Sequence, residues 1–318
     1  MINLLKNKRG EKIMKKITSL LTLIIVLSIV LSLTIGVFAK TTVGVSLLTR
    51  EHVYYNFLEN YLKEEAKNLD VDIIIMDGKF DSNIQMNQVQ DFITSGVDAI
   101  LLSPASISGA EGAYKLAKEA EIPIFTFDSS APGDFIAHVG TDNFKGGEIA
   151  GKYMAENVLK DQTGKVVIVT YSEVEPCVFR EEGFCKAVSA YPNIEVVDIQ
   201  NCSGSMEKAA NVTQDMLLKY DDIDALFGVG DPFAMGAYQV IRAEGRDIPI
   251  VAFDGNPEGL AEIKKGGIWK ADVAQNPKKV ASTVLNYAVD YINGKEVPHI
   301  TLVEPFVIDI NNVEQYMK

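Results

Sequence analysis

From residue 42 onward the chain switches repeatedly between two patterns. Short runs are apolar almost throughout, as in "TVGVSLL" (42–48), "DAILLS" (98–103) and "IPIVAFD" (248–254). Longer stretches between them place apolar residues every three or four positions. Runs of the first kind suit strands of a parallel sheet covered on both faces, and the second kind suits amphipathic helices. The pattern predicts strands at 42–48, 71–77, 98–103, 122–128, 136–141, 165–171, 194–200, 223–228, 248–254, 268–274 and 304–310. It predicts helices at 54–68, 83–95, 108–120, 144–160, 179–190, 206–219, 233–244, 257–265 and 277–293. Strand and helix alternate in the manner of a doubly wound α/β fold.

An internal repeat divides this pattern in two. "DAILLSPASISGAEGAYKLAKEAEIPIFTFD" (98–128) echoes "DALFGVGDPFAMGAYQVIRAEGRDIPIVAFD" (224–254). Asp128 pairs with Asp254 at an offset of 126, and upstream Tyr54 and Tyr55 pair with Phe179 and Arg180 at an offset of 125. Two lobes of one architecture follow. Open α/β sheets bind ligands beyond the carboxyl ends of their strands, so lobes that face each other would share a cleft. "TREHVYYNF" (49–57) is the first such strand-end loop, and its charges and rings read as cleft lining.

Composition narrows the function. Residues 1–39 carry a basic start, the apolar run "ITSLLTLIIVLSIVLSLTIGVFA" and small residues Val37 and Ala39, the layout of a secretory signal peptide. The run is also long enough for an uncleaved anchor, and no lipoprotein cysteine follows it. This leader holds six of the 30 Lys and Arg and one of the 43 Asp and Glu, leaving 24 basic against 42 acidic residues, a net charge of −18. Nucleic acid is an improbable partner for such a surface. Three cysteines, Cys177, Cys185 and Cys202, offer no metal motif; one disulfide, Cys177–Cys202, is open beside three free thiols.

The candidate chemistry sits at strand ends. Asp128 and Asp254 each follow an aromatic residue at the end of a matched strand, where a carboxylate can accept two hydrogen bonds. Helix capping is the alternative role. Arg180 reads as the opening of the helix at 179–190, against the helix dipole, which suggests a planar fork for ligand oxygens. Tyr54 and Tyr55 offer flat faces for the apolar side of a sugar ring, and Gln275 offers a donor and an acceptor. No hydrolase, metalloprotease or phosphate-loop motif is present, so no enzyme is expected.

With these residues in place, the chain from 40 to 318 resembles the periplasmic ribose-binding-protein family, the type I sugar-binding proteins of ABC importers. The motifs that carry the resemblance are "VQDFITSGVDAILLSP", "IPIFTFDSS", "GTDNFKGGEIAGKYMAE", "FREEGFCKAV", "DALFGVGDPFAMGA", "IVAFDGNPEG" and "ADVAQNP". The resemblance implies two Rossmann-like lobes joined by a three-segment hinge: residues 40–141 plus 276–303, and 142–275 plus 304–318. It implies a sugar ligand, ABC permease subunits as partners with a chemoreceptor as a further one, a monomer, and a periplasmic or cell-surface location. Ligand carboxylates fall on Asp128 and Asp254, the ligand arginine on Arg180, the glutamine on Gln275, and the stacking aromatics on Tyr54 and Tyr55. The chain also departs from ribose binders. His52 and Ser103 stand where these have Asn, Ser129 where they have Arg, Gly204 where they have an aromatic, and Gly230 where they have Asn. Arg50, Glu51 and Asp231 are candidates for replacement contacts. Ribose itself is therefore doubtful, and the alternative is the same fold binding a nucleoside, furanose signal or polyol, or serving chemoreception only. No calcium loop is present, and no metal or cofactor is expected. A sugar-responsive repressor of this fold would need an N-terminal helix-turn-helix, and that position reads here as a signal peptide.

Overall fold

The computed structural model describes residues 14–22 and 40–317. Residues 14–22 are helical, and the chain from Thr41 onward is a compact body of its own. Most of the apolar run and the cleavage position at Ala39 lie outside the described residues. Among the described residues, no helix is long and apolar enough to cross a membrane.

The first part of the body runs β1 (Thr42–Leu47), α1 (Val53–Asn68), β2 (Asp72–Asp77), α2 (Ser82–Ser95), β3 (Ala99–Leu102), α3 (Ala110–Glu119), β4 (Ile124–Phe127) and β5 (His138–Thr141). Next come α4 (Asn143–Tyr153), β6 (Thr163–Thr170), α5 (Glu175–Val188), β7 (Asn193–Asn201), α6 (Met206–Lys219) and β8 (Ala225–Gly228). The chain ends with α7 (Asp231–Ala243), β9 (Ile250–Asp254), α8 (Pro257–Lys264), β10 (Trp269–Ala274), α9 (Pro277–Ile292), β11 (Ile300–Val303) and β12 (Phe306–Asp309).

Two six-stranded sheets result, ordered β11-β5-β4-β3-β1-β2 and β12-β10-β9-β8-β6-β7. Every pairing is parallel except that of β12 with β10. The two orders match strand for strand, as the repeat implies. The chain passes from one sheet to the other after β5, after β10 and after β11. The central strands are buried on both faces, which is why they read as continuous apolar runs. Helix α1 buries Tyr54, Tyr55, Leu58, Leu62 and Ala66, one face at helical spacing.

Two expectations need correction. The sequence pattern gave no strand at 300–303. Its four residues form an edge strand on which Ile300 and Leu302 stay exposed, so burial leaves too short a signature. Helix α5 starts at Glu175 with Pro176 in its first turn, not at 179. Arg180 therefore lies in the second turn, beyond the reach of the end-of-helix dipole, and its placement needs another cause.

That cause begins with glycines. A Cβ on Gly147 of α4 would overlap the Arg180 carbonyl oxygen, and one on Gly183 of α5 would overlap the Phe144 carbonyl oxygen. A Cβ on Gly146 would lie 2.6 Å from the Phe253 ring. Without side chains at these positions, α4 and α5 pack backbone to backbone and carry Arg180 over β9. Gly147→Ala should lower stability by about 1–3 kcal/mol through overpacking, read as a fall in the thermal unfolding midpoint. An unchanged midpoint would mean that the helices separate without penalty.

Candidate ligand site

The site forms where the carboxyl ends of both sheets face each other. Asp128 follows β4 and Asp254 ends β9, and both have positive φ, 61° and 115°. Such conformations are uncommon for residues with a Cβ and cluster where surrounding structure holds them. Each carboxylate is held by the residue that the repeat places at the equivalent helix position. Tyr55 Oη donates to Asp128 Oδ2 at 2.5 Å, and Arg180 Nη1 donates to Asp254 Oδ1 at 2.9 Å.

Arg180 is buried and fixed on every side. Its Nε donates to Asn143 Oδ1 at 2.8 Å, its Nη1 also donates to the Val229 carbonyl at 2.8 Å, and its Cζ lies 3.8 Å from the centre of the Phe253 ring. Asp254 also accepts from Gln275 Nε2 at 2.7 Å and from the Asp231 backbone at 3.3 Å. Gln275 Oε1 in turn accepts from Thr141 Oγ1 at 2.7 Å. Among the described residues, Arg180 Nη2 and Asp128 Oδ1 make no hydrogen bond, and the buried Tyr54 hydroxyl is unpartnered.

His52 crosses the cleft. Its Nδ1 accepts from the Tyr54 N–H at 3.2 Å, capping α1, so the ring proton sits on Nε2. Nε2 lies 3.2 Å from Asp254 Oδ2 in the other lobe. Ser130 Oγ reaches Glu175 Oε1, also in the other lobe, at 3.4 Å. The lobes thus touch, and the cavity between them measures about 50 Å³, room for roughly three to five waters.

The two matched aspartates differ electrostatically. Burial alone would raise Asp254, but the Arg180 charge, His52 and Gln275 outweigh it and hold the carboxyl below its ordinary range. Asp128 is raised, first by burial, with Tyr55 and Arg180 only partly offsetting it. Burial also raises Tyr54 and Tyr55 well above the usual phenol value.

Of the residues expected from sequence, His52, Tyr54, Tyr55, Asp128 and Ser129 line the cavity from the first lobe. Arg180, Gly230, Asp254 and Gln275 line it from the second. Ser103 and Asp231 do not. Ser103 is fully buried, with its Oγ unpaired. Asp231 lies behind Asp254, where its Oδ2 accepts from the Asn256 N–H at 2.6 Å. Arg50 also turns away, pairing with Glu59 at 2.6 Å, while Glu51 lines an outer cavity. The three cysteines are free thiols, so the Cys177–Cys202 bond is not formed. Among the described residues, no group of three or more His, Cys, Asp or Glu is arranged to hold a metal ion. Sequence reasoning missed Asn143 and Thr141, which brace the polar cluster. It also missed Phe80, Tyr171 and Phe233, which complete the wall. Phe80 and Tyr171 lie just past strand ends, a signal available in the sequence.

A family model for the Periplasmic binding protein domain matches residues 43–296. The chain belongs to this family. It is 34% identical over 259 residues, 80% of this chain and 83% of the other, to the ribose import binding protein RbsB of Bacillus subtilis (strain 168). Among solved structures it is similar to an ABC transporter solute binding protein from Bacillus halodurans with bound myo-inositol (TM-score 0.82, 26% identity, covering 89% of this chain and 99% of that one). Another is the Actinobacillus succinogenes periplasmic solute binding protein with bound D-allose (TM-score 0.81, 28% identity, covering 87% and 100%).

Behind the site, this family member carries a second carboxylate pair. Asp231 Oδ1 and Asp272 Oδ2 both border Gly259, where a Cβ would lie 3.1 and 2.7 Å from them. Asp272 Oδ1 accepts from the Gly255 N–H at 3.1 Å, and Oδ2 from Trp269 Nε1 at 3.3 Å. Burial, the largest cause, and the neighbouring Asp254 charge push Asp272 up to about 7. Asp231 is raised by burial, then by Asp272 and Asp254. Two buried carboxylates side by side keep a proton between them. The native state therefore binds a proton that the unfolded chain has released between about pH 4 and 7. The stabilisation is fully present below that window and is lost as pH rises through about 7. Urea midpoints between pH 4.5 and 8 should fall with rising pH, by ~1.4 kcal/mol per pH unit for each proton so held, and Asp272→Asn should make the fall shallower. Identical profiles for the two proteins would show that Asp272 is ionised throughout.

Proposed function

We propose that this chain captures a sugar between its lobes and delivers it to the permease of an ABC importer. The observation that carries the reading is the polar cluster at the lobe junction. Both matched aspartates, an arginine, a glutamine and two tyrosines converge there, while Asp128 Oδ1, Arg180 Nη2 and the Tyr54 hydroxyl keep hydrogen-bonding capacity to spare. Adjacent hydroxyls of a sugar ring would bridge carboxylate and guanidinium, with Tyr54 and Tyr55 against the ring. Such donor–acceptor pairs hold a polyol without activating it, so binding rather than catalysis is the role we assign. Sugar-binding relatives of importers support the choice.

The cleft must open to admit a sugar. The two bodies we assign to this motion are residues 40–141 plus 276–303 and 142–275 plus 304–318, turning about the three crossings. The basic, apolar leader supports export to the periplasm or cell surface, and the closed monomer would present both lobes to the permease.

A thermal-shift screen against pentoses, hexoses, polyols and disaccharides tests the reading. A ligand at 100 times its Kd adds ~2.7 kcal/mol, a rise of several degrees. Asp128→Ala and Arg180→Lys should each weaken binding of that ligand tenfold or more in calorimetry. If no sugar or polyol shifts the midpoint, the sugar reading is wrong.

A further inference from the structure

Two side chains of the first lobe reach directly across the cleft, and both end on carboxylates of the second. His52 Nε2 lies 3.2 Å from Asp254 Oδ2. Ser130 Oγ donates to Glu175 Oε1 at 3.4 Å. The partners come from separate segments. His52 stands in the turn before α1 and Ser130 in the loop between β4 and β5, while Glu175 opens α5 and Asp254 ends β9. The cavity lies beside both contacts. Its lining includes His52 and Asp254 themselves, and Ser129, Val174 and Pro176, the chain neighbours of Ser130 and Glu175. The cleft is therefore spanned at two places by the protein alone.

Local structure aims the histidine. Its Nδ1 accepts from the Tyr54 N–H at 3.2 Å, and the Tyr54 and Tyr55 rings meet it edge on at 6.4 and 6.0 Å. The N–H nitrogen is therefore the one beside Asp254. Neither carboxylate depends on its partner across the cleft. Asp254 keeps Arg180, Gln275 and the Asp231 N–H. Glu175 stands in the first turn of α5, where the helix dipole favours a negative charge. Each can release the other lobe without leaving a charge unsupported. Both contacts are at the long end for hydrogen bonds, hence weak, as a closure that must reverse requires.

We infer that His52 and Ser130 are positioning residues: they latch the lobes to each other rather than to the sugar, so that closed protein is populated before a ligand arrives. The inference rests on the reading of capture by lobe closure and adds what favours closure besides the ligand. A ligand binds more weakly by the factor by which its competent state is depopulated. Loss of a latch therefore weakens every ligand alike, whereas loss of a ligand contact weakens each to a different degree.

Two variants test this. His52→Ser keeps a capping oxygen on α1 but is too short to span the cleft, and Ser130→Ala removes the other donor. Small-angle X-ray scattering of the ligand-free protein should give each variant a larger radius of gyration than the wild type. Calorimetry with D-ribose, D-allose and myo-inositol should show the probes that bind weakened by one common factor, at most roughly tenfold per lost bond. Losses that differ by tenfold or more between probes would make the substituted residue a ligand contact and overturn the inference, with sugar capture left standing. Unchanged radii in both variants would overturn it as well. If none of the probes binds, the sugar reading fails, and the radii still decide the inference: expansion supports it and no change overturns it. Thermal unfolding checks that each variant folds, and Ser130→Ala carries the test alone if His52→Ser does not.

Discussion

The ion pair between Arg180 and Asp254 is the constraint around which the second lobe is arranged. Both side chains are almost wholly buried, and removing two charges from water costs several kcal/mol per ion. The cost is offset only because neither charge relies on the other alone. Asn143, the Val229 carbonyl and the Phe253 ring surround the guanidinium, while Gln275, the Asp231 backbone and His52 surround the carboxylate. Bringing Arg180 to this point requires α4 and α5 to touch at their backbones, which explains glycines in the middle of two helices where they weaken helix propensity. The same pair explains why Asp254 keeps its charge in a position where burial favours neutralisation.

The duplicated architecture makes the contrast with Asp128 instructive. The two aspartates end matched strands, and the residues that hold them, Tyr55 and Arg180, occupy matched helix positions. One holder is a neutral phenol and the other a cation, and the two carboxyls shift in opposite directions. A cleft built from equivalent positions thus presents one wall with a fixed ion pair and one with a carboxyl held by a phenol, an asymmetry suited to a ligand with distinguishable faces.

Much of this was legible before any coordinates. The apolar runs and the 126-residue offset lead directly to two lobes and to the paired aspartates, because burial on both faces and repetition leave strong periodic marks. The expected positions of the crossings came from the family resemblance, not from periodicity. What could not be read depends on contacts between segments distant in sequence. Ile300–Val303 is a strand only because β5 offers it an edge. Asp231 was a candidate for a contact that replaces one of the family's, and Asp272, 41 residues on, makes it half of a buried pair. Arg180 was chosen for a wrong reason, a helix start that in fact lies four residues earlier, with Pro176 in the first turn. Phe80 and Tyr171, which complete the cavity wall, lie in loops of the two lobes, and loops carry no periodicity.

The polar cluster also links ligand recognition to motion. Asp254 is bonded to Gln275, and Gln275 to Thr141; Gln275 follows β10 directly and Thr141 is the last residue of β5, so each stands where the chain leaves a sheet for the other. A ligand hydroxyl that engages Asp254 therefore acts one hydrogen bond away from the first of the segments about which the lobes would turn and two from the second. His52 reaches the same carboxylate from the other lobe, so a protein contact and a ligand contact compete for, or share, one oxygen. A ligand can shift the closed state only by its differential affinity for it. If the lobes turn as proposed, Asp254 and Glu175 are where closure would bring a donor from the other lobe, and of the two only Asp254 lines the cavity.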